Sequence, residues 1–228
     1  MSRRGATTII VFGKPPVPGA VKTRLASTLG YQGAARLARA MLVDTLQVAR
    51  QLPRARLQVA TVGDIAPHLP APLDRAPWQQ GPGDLGQRME RMLGRALSAP
   101  GVDRALLVGT DIPGLSVGVL AALERSLEAG HDAALAPTRD GGFGVIGLGV
   151  PPGPGLLGGL PWSRPDTCAR TLERLDAWGV PTVCTESRLA DLDTPADLRR
   201  LCAGLRRGGA QAGPAVRRAL VELGLLPP

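Results

Sequence analysis

This chain has two lysines, and both fall in one loop. They are Lys14 and Lys22, within Phe12-Gly13-Lys14-Pro15-Pro16-Val17-Pro18-Gly19-Ala20-Val21-Lys22-Thr23-Arg24-Leu25, while the other 25 basic residues are arginine. A lysine ammonium is a compact charge on a flexible stem, suited to reaching a phosphate oxygen. Pro15, Pro16 and Pro18 stiffen the backbone and Gly19 bends it, so that N–H groups can turn toward an anion. Lys14, Pro18, Gly19, Lys22, Thr23 and Arg24 therefore read as a phosphate-binding loop.

A second set of groups is acidic. Asp111 directly follows the apolar run Ala105-Leu106-Leu107-Val108, Gly109 and Thr110. A carboxylate there is costly unless it is solvated or bound to a cation. A hard cation wants oxygen ligands and commonly shares them with substrate phosphates. Asp111 is the first candidate metal ligand, and the expected ion is Mg²⁺ or Mn²⁺. Asp191 and Asp193 flank Leu192, so both can face one side of an extended segment; one suits a second ligand, the other a cap for a helix starting near Pro195. Asp193, or else Asp140, is the expected second ligand. Asp140, in Arg139-Asp140-Gly141-Gly142, is a catalytic candidate beside Lys22, although this is also ordinary hairpin chemistry. Asp84 reads mainly as a helix cap, and with Arg88 one turn later it joins the candidate nucleotide site. His68 and His131 acquire no role. No serine or cysteine lies in a nucleophile motif, and there is no Gly-x-x-x-x-Gly-Lys loop.

The elements that must position these groups follow from periodicity. Thr8–Val11, Leu57–Val62, Arg104–Thr110, Asp132–Pro137, Phe143–Leu148 and Val180–Cys184 read as strands. Helical spacing covers 33–50, a stretch beginning at Gly83–Gly86, 116–129, 166–178, a helix from Pro195, and about 215–224. Residues 63–83 and 151–165 are rich in glycine and proline and read as loops. The alternation predicts an α/β protein: a three-layer α/β/α arrangement with a mixed, mostly parallel sheet. In such sheets ligands bind at the C-terminal ends of the strands. The Lys14–Arg24 loop, Asp111 and the Asp140 turn all fall there. Residues 1–203 are expected to form the nucleotide-binding domain, with 204–228 a helical appendage of it.

The 228 residues suffice for one full core, with 44% hydrophobic and only 3% aromatic residues. The net charge of +8 is uneven: residues 1–43 hold seven basic residues and no acid. Residues 44–198 hold 14 basic and 18 acidic residues, and 199–228 six arginines and Glu222. A basic N-terminal third beside an acidic middle suits a nucleotide whose phosphates meet the first and whose metal meets the second. A nucleic-acid partner is not expected, since basic residues are not interleaved with aromatics. Three cysteines without metal spacing are expected to be small buried side chains. No segment has the length of a membrane span or a signal peptide, so a cytoplasmic protein is expected.

The motifs together resemble a known family. Phe12-Gly13-Lys14-x-Pro16-x-Pro18-Gly19-x-x-Lys22-Thr23-Arg24-Leu25 resembles the opening motif of the DUF2064 family, whose members are called glycosyltransferase-like or radical-SAM/selenodomain-associated transferases. The likeness continues through Gly83-Asp84-Leu85-Gly86-x-Arg88-Met89, Gly109-Thr110-Asp111-x-Pro113-Gly114-Leu115, Asp140-Gly141-Gly142-Phe143, Pro161-Trp162-Ser163 and Asp191-Leu192-Asp193-Thr194-Pro195-x-Asp197-Leu198. Phe143 stands where tyrosine is expected. The resemblance implies a GT-A-like nucleotide-diphospho-sugar transferase fold, with the nucleotide on Lys14, Lys22 and Arg24 and a divalent metal on Asp111. It implies a metal-dependent transferase using a nucleotide sugar. Lys22-Thr23-Arg24-Leu25 also resembles the Lys-Ser-Arg-Leu of 2-phospholactate guanylyltransferases, which implies nucleotidyl transfer from a nucleoside triphosphate instead. A non-catalytic nucleotide-binding module is the third reading. The expected partners are a nucleotide or nucleotide sugar and an acceptor that the sequence does not identify.

Overall fold

The computed structural model describes residues 5–227. Thirteen named elements follow in order. They are β1 (Ala6–Phe12), α1 (Ala26–Arg50), β2 (Arg56–Thr61), β3 (Trp78–Gln79), α2 (Leu85–Leu97), β4 (Val102–Gly109), α3 (Val117–Glu128), β5 (Ala133–Pro137), β6 (Phe143–Leu148), α4 (Thr167–Ala177), β7 (Thr182–Cys184), α5 (Pro195–Arg206) and α6 (Pro214–Glu222). The strands form one sheet in the order β3-β2-β1-β4-β6-β5-β7. Only β6 runs antiparallel to its neighbours, β4 and β5. The remaining pairings are parallel. The sheet is mixed and mostly parallel, as the alternation of elements requires.

Side chains alternate between the two faces of the sheet. Ile9, Val11, Leu106 and Val108 face α1 and α3, where Leu42, Leu46, Leu120 and Leu123 cover them. Ile10, Ala105 and Leu107 face α2 and α4, against Met89, Met92, Leu93 and Leu175. Strands buried on both faces read as continuous apolar runs, which is the pattern of β1 and β4. Cys168 and Cys202 are buried and Cys184 half-buried, all three as free thiols. Among the described residues no helix is long and apolar enough to cross a membrane.

Two elements differ from expectation. The segment 63–83 contains β3, which extends the sheet by pairing Ala60 with Trp78 and Thr61 with Gln79. Two residues are too few to carry a period. Helix α1 starts at Ala26, seven residues early, because Gly30 (φ 66°, ψ 167°) breaks the helical backbone and hides the first turn from the pattern.

A third apolar cluster joins the chain's end to its start. Val216, Ala219 and Leu220 of α6 pack with Leu37, Ala40 and Met41 of α1. The buried carboxylate of Asp44 on α1 accepts hydrogen bonds from the N–H groups of Ala215 (2.9 Å) and Val216 (2.8 Å), capping α6 from another helix. Gly213 is required here, since a Cβ would lie 2.3 Å from the Asp44 Cγ. Asp44→Ala orphans two helix N–H groups and is expected to cost about 1–3 kcal/mol of stability, read by urea unfolding. An unchanged midpoint would show that the cap contributes nothing.

Candidate active site

The loop after β1 is built by local hydrogen bonds. The Val17 N–H donates to the Pro15 carbonyl (2.8 Å) and the Ala20 N–H to that of Val17 (3.0 Å). Buried Val21 and Leu25 pin its far end. Between them Lys22 takes the left-handed conformation, φ 47° and ψ 39°. A non-glycine residue adopts that backbone at a cost and rarely without local over-determination. The over-determination is visible: the Lys22 ammonium lies 2.5 Å from Asp111 Oδ1 and 2.5 Å from Asp193 Oδ1. Burial works against the charged ammonium, and the two carboxylates more than offset it, so the Lys22 pKa stands above the ordinary lysine value.

These groups line an open cleft of about 640 Å³ at the C-terminal ends of β1 and β4. That is a size suited to a small ligand. Lys14, Lys22, Thr23, Arg24, Arg88, Asp111, Asp140 and Asp193 all border it. Lys14 and Arg24 are exposed, and neither has an ion pair among the described residues. Pro18 and Gly19 form the exposed outer bend of the loop and do not border the cleft. Asp84 is also absent from its walls. Its carboxylate is spent on the cap of α2, accepting from the Gln87 N–H (2.9 Å), and it also accepts from the Gly159 N–H (3.0 Å). Those bonds hold it below the usual carboxylate range.

The structure separates the two aspartates that flank Leu192. Thr194 caps α5, exchanging hydrogen bonds with Asp197 in a capping box. Asp193 is thereby left for Lys22. Asp191 lines a second cavity instead. Buried Leu192 holds the segment to the end of β4, its N–H donating to the Asp111 carbonyl at 3.0 Å. Asp191 is pushed up to about 6, first by burial and then by the nearby Asp140 carboxylate. Asp140 borders both cavities. Its carboxylate accepts from Thr138 Oγ1 (2.5 Å) and the Gly142 N–H (3.0 Å). The turn is locked from outside: Gly141 has φ 90°, and a Cβ there would lie 1.8 Å from the Pro165 carbonyl oxygen. Phe143, the first residue of β6, packs edge-on against Trp162 with ring centroids 6.0 Å apart.

Two bordering polar residues escape sequence reading, Gln80 and Arg164, and a third, Ser163, is read only as part of the Pro161-Trp162-Ser163 motif with no role at the site. Gln80 is buried and ties the cleft together. Its amide nitrogen donates to the Gly13 carbonyl (2.7 Å) and the Ala60 carbonyl (3.1 Å), and its oxygen accepts from Arg88 (3.3 Å). Nothing in the spacing of the Gln79-Gln80 pair in a proline-rich loop signals this. Arg164 follows the Pro161-Trp162-Ser163 motif, in which Ser163 takes a positive φ (59°).

Asp111 and Asp193 present hard oxygen donors that converge on one cation position, now held by an ammonium. Both side chains are close to half exposed. This donor set fits Mg²⁺ or Mn²⁺, which accept one or two carboxylates and complete their shells with water and phosphate. Among the described residues no cluster of three or more His, Cys, Asp or Glu side chains offers an all-protein cage.

Residues 45–164 match a family model described as "Uncharacterized protein conserved in bacteria (DUF2064)". No curated protein matches the sequence. The crystal structure of a protein from Desulfovibrio desulfuricans G20, provisionally described as a nucleotide-diphospho-sugar transferase, is 28% identical, with a TM-score of 0.81 over 98% of this chain and 97% of that one. More distant structures share the fold. Rv0371c from Mycobacterium tuberculosis H37Rv, in complex with manganese, is 19% identical with a TM-score of 0.51 over 86% of this chain and 97% of that one. CMP:2-keto-3-deoxy-manno-octonic acid synthetase, in complex with CTP, is 13% identical with a TM-score of 0.52 over 89% and 99%.

Proposed function

This chain belongs to the DUF2064 family, and we propose that it is a metal-dependent transferase using a nucleotide sugar. The observation that carries the reading is the meeting of Lys22 with Asp111 and Asp193 in an open cleft at the strand ends. A basic loop and two carboxylates on one rim are what a nucleotide with its divalent ion requires. The D. desulfuricans neighbour supports the same class, matching this chain over nearly its whole length.

In this reading Lys14, Lys22 and Arg24 bind the phosphates and Arg88 extends the basic wall. Asp111 and Asp193 would hold Mg²⁺ or Mn²⁺, which when bound would neutralise the charge developing on the phosphate oxygens of the leaving group. Asp140, fixed in its turn where the two cavities meet, accepts the proton of the attacking acceptor. Gln80 is a positioning residue: it joins the backbone of Gly13 to Arg88 and so sets the distance between loop and wall.

One observation favours nucleotidyl transfer from a nucleoside triphosphate as a second reading. Lys14, Lys22, Arg24, Arg88 and Arg164 all border the cleft, more positive charge than a diphosphate needs. A thermal-shift screen of nucleoside triphosphates and nucleotide sugars, with and without Mg²⁺ or Mn²⁺, tests both. A ligand at 100 times its Kd adds about 2.7 kcal/mol of stability, which is roughly 5–10 °C for a chain of this size. A metal-dependent shift with nucleotide sugars supports glycosyl transfer, and one confined to triphosphates supports the second reading. No shift with any nucleotide would overturn both.

A further inference from the structure

Next to the nucleotide cleft lies a cavity of about 700 Å³ that the proposed chemistry has not used. Its walls are the residues after Asp111 at the end of β4, the Arg139–Asp140 turn between β5 and β6, the segment after β7 from Arg188 to Asp191, and α5 with the loop that follows it. The two cavities meet at Asp140, which borders both. They also share one wall, where Asp191 faces the second cavity and Asp193 the first.

Five arginines border the second cavity: Arg139, Arg188, Arg199, Arg200 and Arg207. Arg200 is committed to an ion pair with Asp197. The other four are exposed and have no ion pair among the described residues. They come from three separate parts of the chain. Gly204 on α5 lets the following loop pack closely, since a Cβ there would lie 2.6 Å from the Ala210 Cβ, and Arg207 follows at the end of the helix. Three carboxylates, Asp140, Asp191 and Asp197, border the same cavity, and Asp197 is the one paired with Arg200.

We propose that this cavity is the acceptor subsite and that it recognises an acceptor bearing a phosphomonoester group. The inference deepens the transferase reading and rests on it for the word acceptor. Arginine presents a planar fork that meets anion oxygens in pairs. One carboxylate has two oxygens and is satisfied by a single fork. A phosphomonoester has three terminal oxygens and about two charges, so it can engage several forks at once. Four uncommitted guanidinium groups around one cavity match the second anion and exceed the first. The acceptor's phosphate sits among the arginines while its reacting group points back toward Asp140 and the cleft.

The test is calorimetric titration of the full chain with glycerol 2-phosphate at fixed ionic strength, with glycerol as the uncharged control. Charge-assisted hydrogen bonds are worth enough for about tenfold in affinity per arginine. Arg188→Gln/Arg207→Gln is expected to weaken glycerol 2-phosphate binding about 100-fold. Arg217→Gln/Arg218→Gln, which removes the same charge from exposed positions on α6, is expected to leave it unchanged. Equal affinity in all three proteins, or no saturable binding to the wild type, would overturn the proposal. So would binding that survives Arg188→Gln/Arg207→Gln but is lost in Lys22→Ala, which places the phosphate in the first cavity. A uridine oligomer that binds through Arg188 and Arg207 when glycerol 2-phosphate does not would overturn it in favour of a nucleic-acid surface. The transferase reading is judged separately: its failure is the absence of any nucleotide shift in the thermal screen, whatever the arginine cavity does.

Discussion

Lys22→Ala is expected to weaken nucleotide binding by about 10–100-fold, the loss of a charge-assisted contact worth about 1.5–3 kcal/mol. The side chain is only 7% exposed, and in the ligand-free protein its charge is shared between Asp111 and Asp193. A nucleotide must therefore compete with these carboxylates for the ammonium, and a divalent ion must compete with the ammonium for the carboxylates. The two exchanges help each other: metal on the aspartates frees Lys22 for phosphate. Lys22→Ala should accordingly split two affinities that usually move together. Mn²⁺ alone should bind the variant more tightly than wild type, because its competitor is gone, while nucleotide should bind more weakly. Lys22→Gly is the control for backbone strain, since glycine accepts the left-handed conformation freely; it should show the same split. Isothermal titration with Mn²⁺ and with nucleotide separately reads both effects. Equal nucleotide affinity in wild type and variants would end the phosphate role of the loop.

Asp111→Asn should remove metal-dependent nucleotide binding while leaving the fold in place. The substitution keeps the side-chain shape and one oxygen but deletes a full charge from a site that offers two. Asp193 remains to neutralise Lys22, and the Asp111 carboxylate is 52% exposed. The stability change should therefore be small, about 1 kcal/mol, because the ammonium, itself only 7% exposed, keeps one carboxylate and the one it loses is half exposed. The affinity of the nucleotide in the presence of Mg²⁺ should fall at least tenfold toward its value without metal. A variant with the same Mg²⁺ response as wild type would leave the cleft as a metal-independent nucleotide site.

Much of the fold is legible because each strand and helix carries its own period. Ile9, Ile10 and Val11 read as a buried strand and are one. The same reading misses β3, whose two residues are held by β2 rather than by their own pattern. The candidate site is legible where chemistry is local: a basic proline-rich loop, an aspartate ending an apolar strand. It is not legible where chemistry comes from convergence. The contact between Lys22 and Asp193 joins residues 171 apart in sequence, and no spacing rule spans that distance. Gln80 earns its place from three partners in three segments. Asp84 shows the converse. Its spacing reads mainly as a helix cap, and the carboxylate is spent on the cap of α2 and on the Gly159 N–H rather than on the cleft.

The reach of that lysine contact also sets when the site can exist during synthesis. Lys22 leaves the ribosome early, and Asp193 follows 171 residues later. At the usual pace of translation this is a delay of roughly 10–30 s. β1 and β4 can pair well before then, since both are complete by Gly109. During the interval Lys22 has at most Asp111 to hold it in its left-handed backbone. A nascent chain stalled before residue 193 should therefore carry much of the sheet and lack the second carboxylate that holds Lys22. In the proposed reading, nucleotide would stabilise only the nearly finished chain.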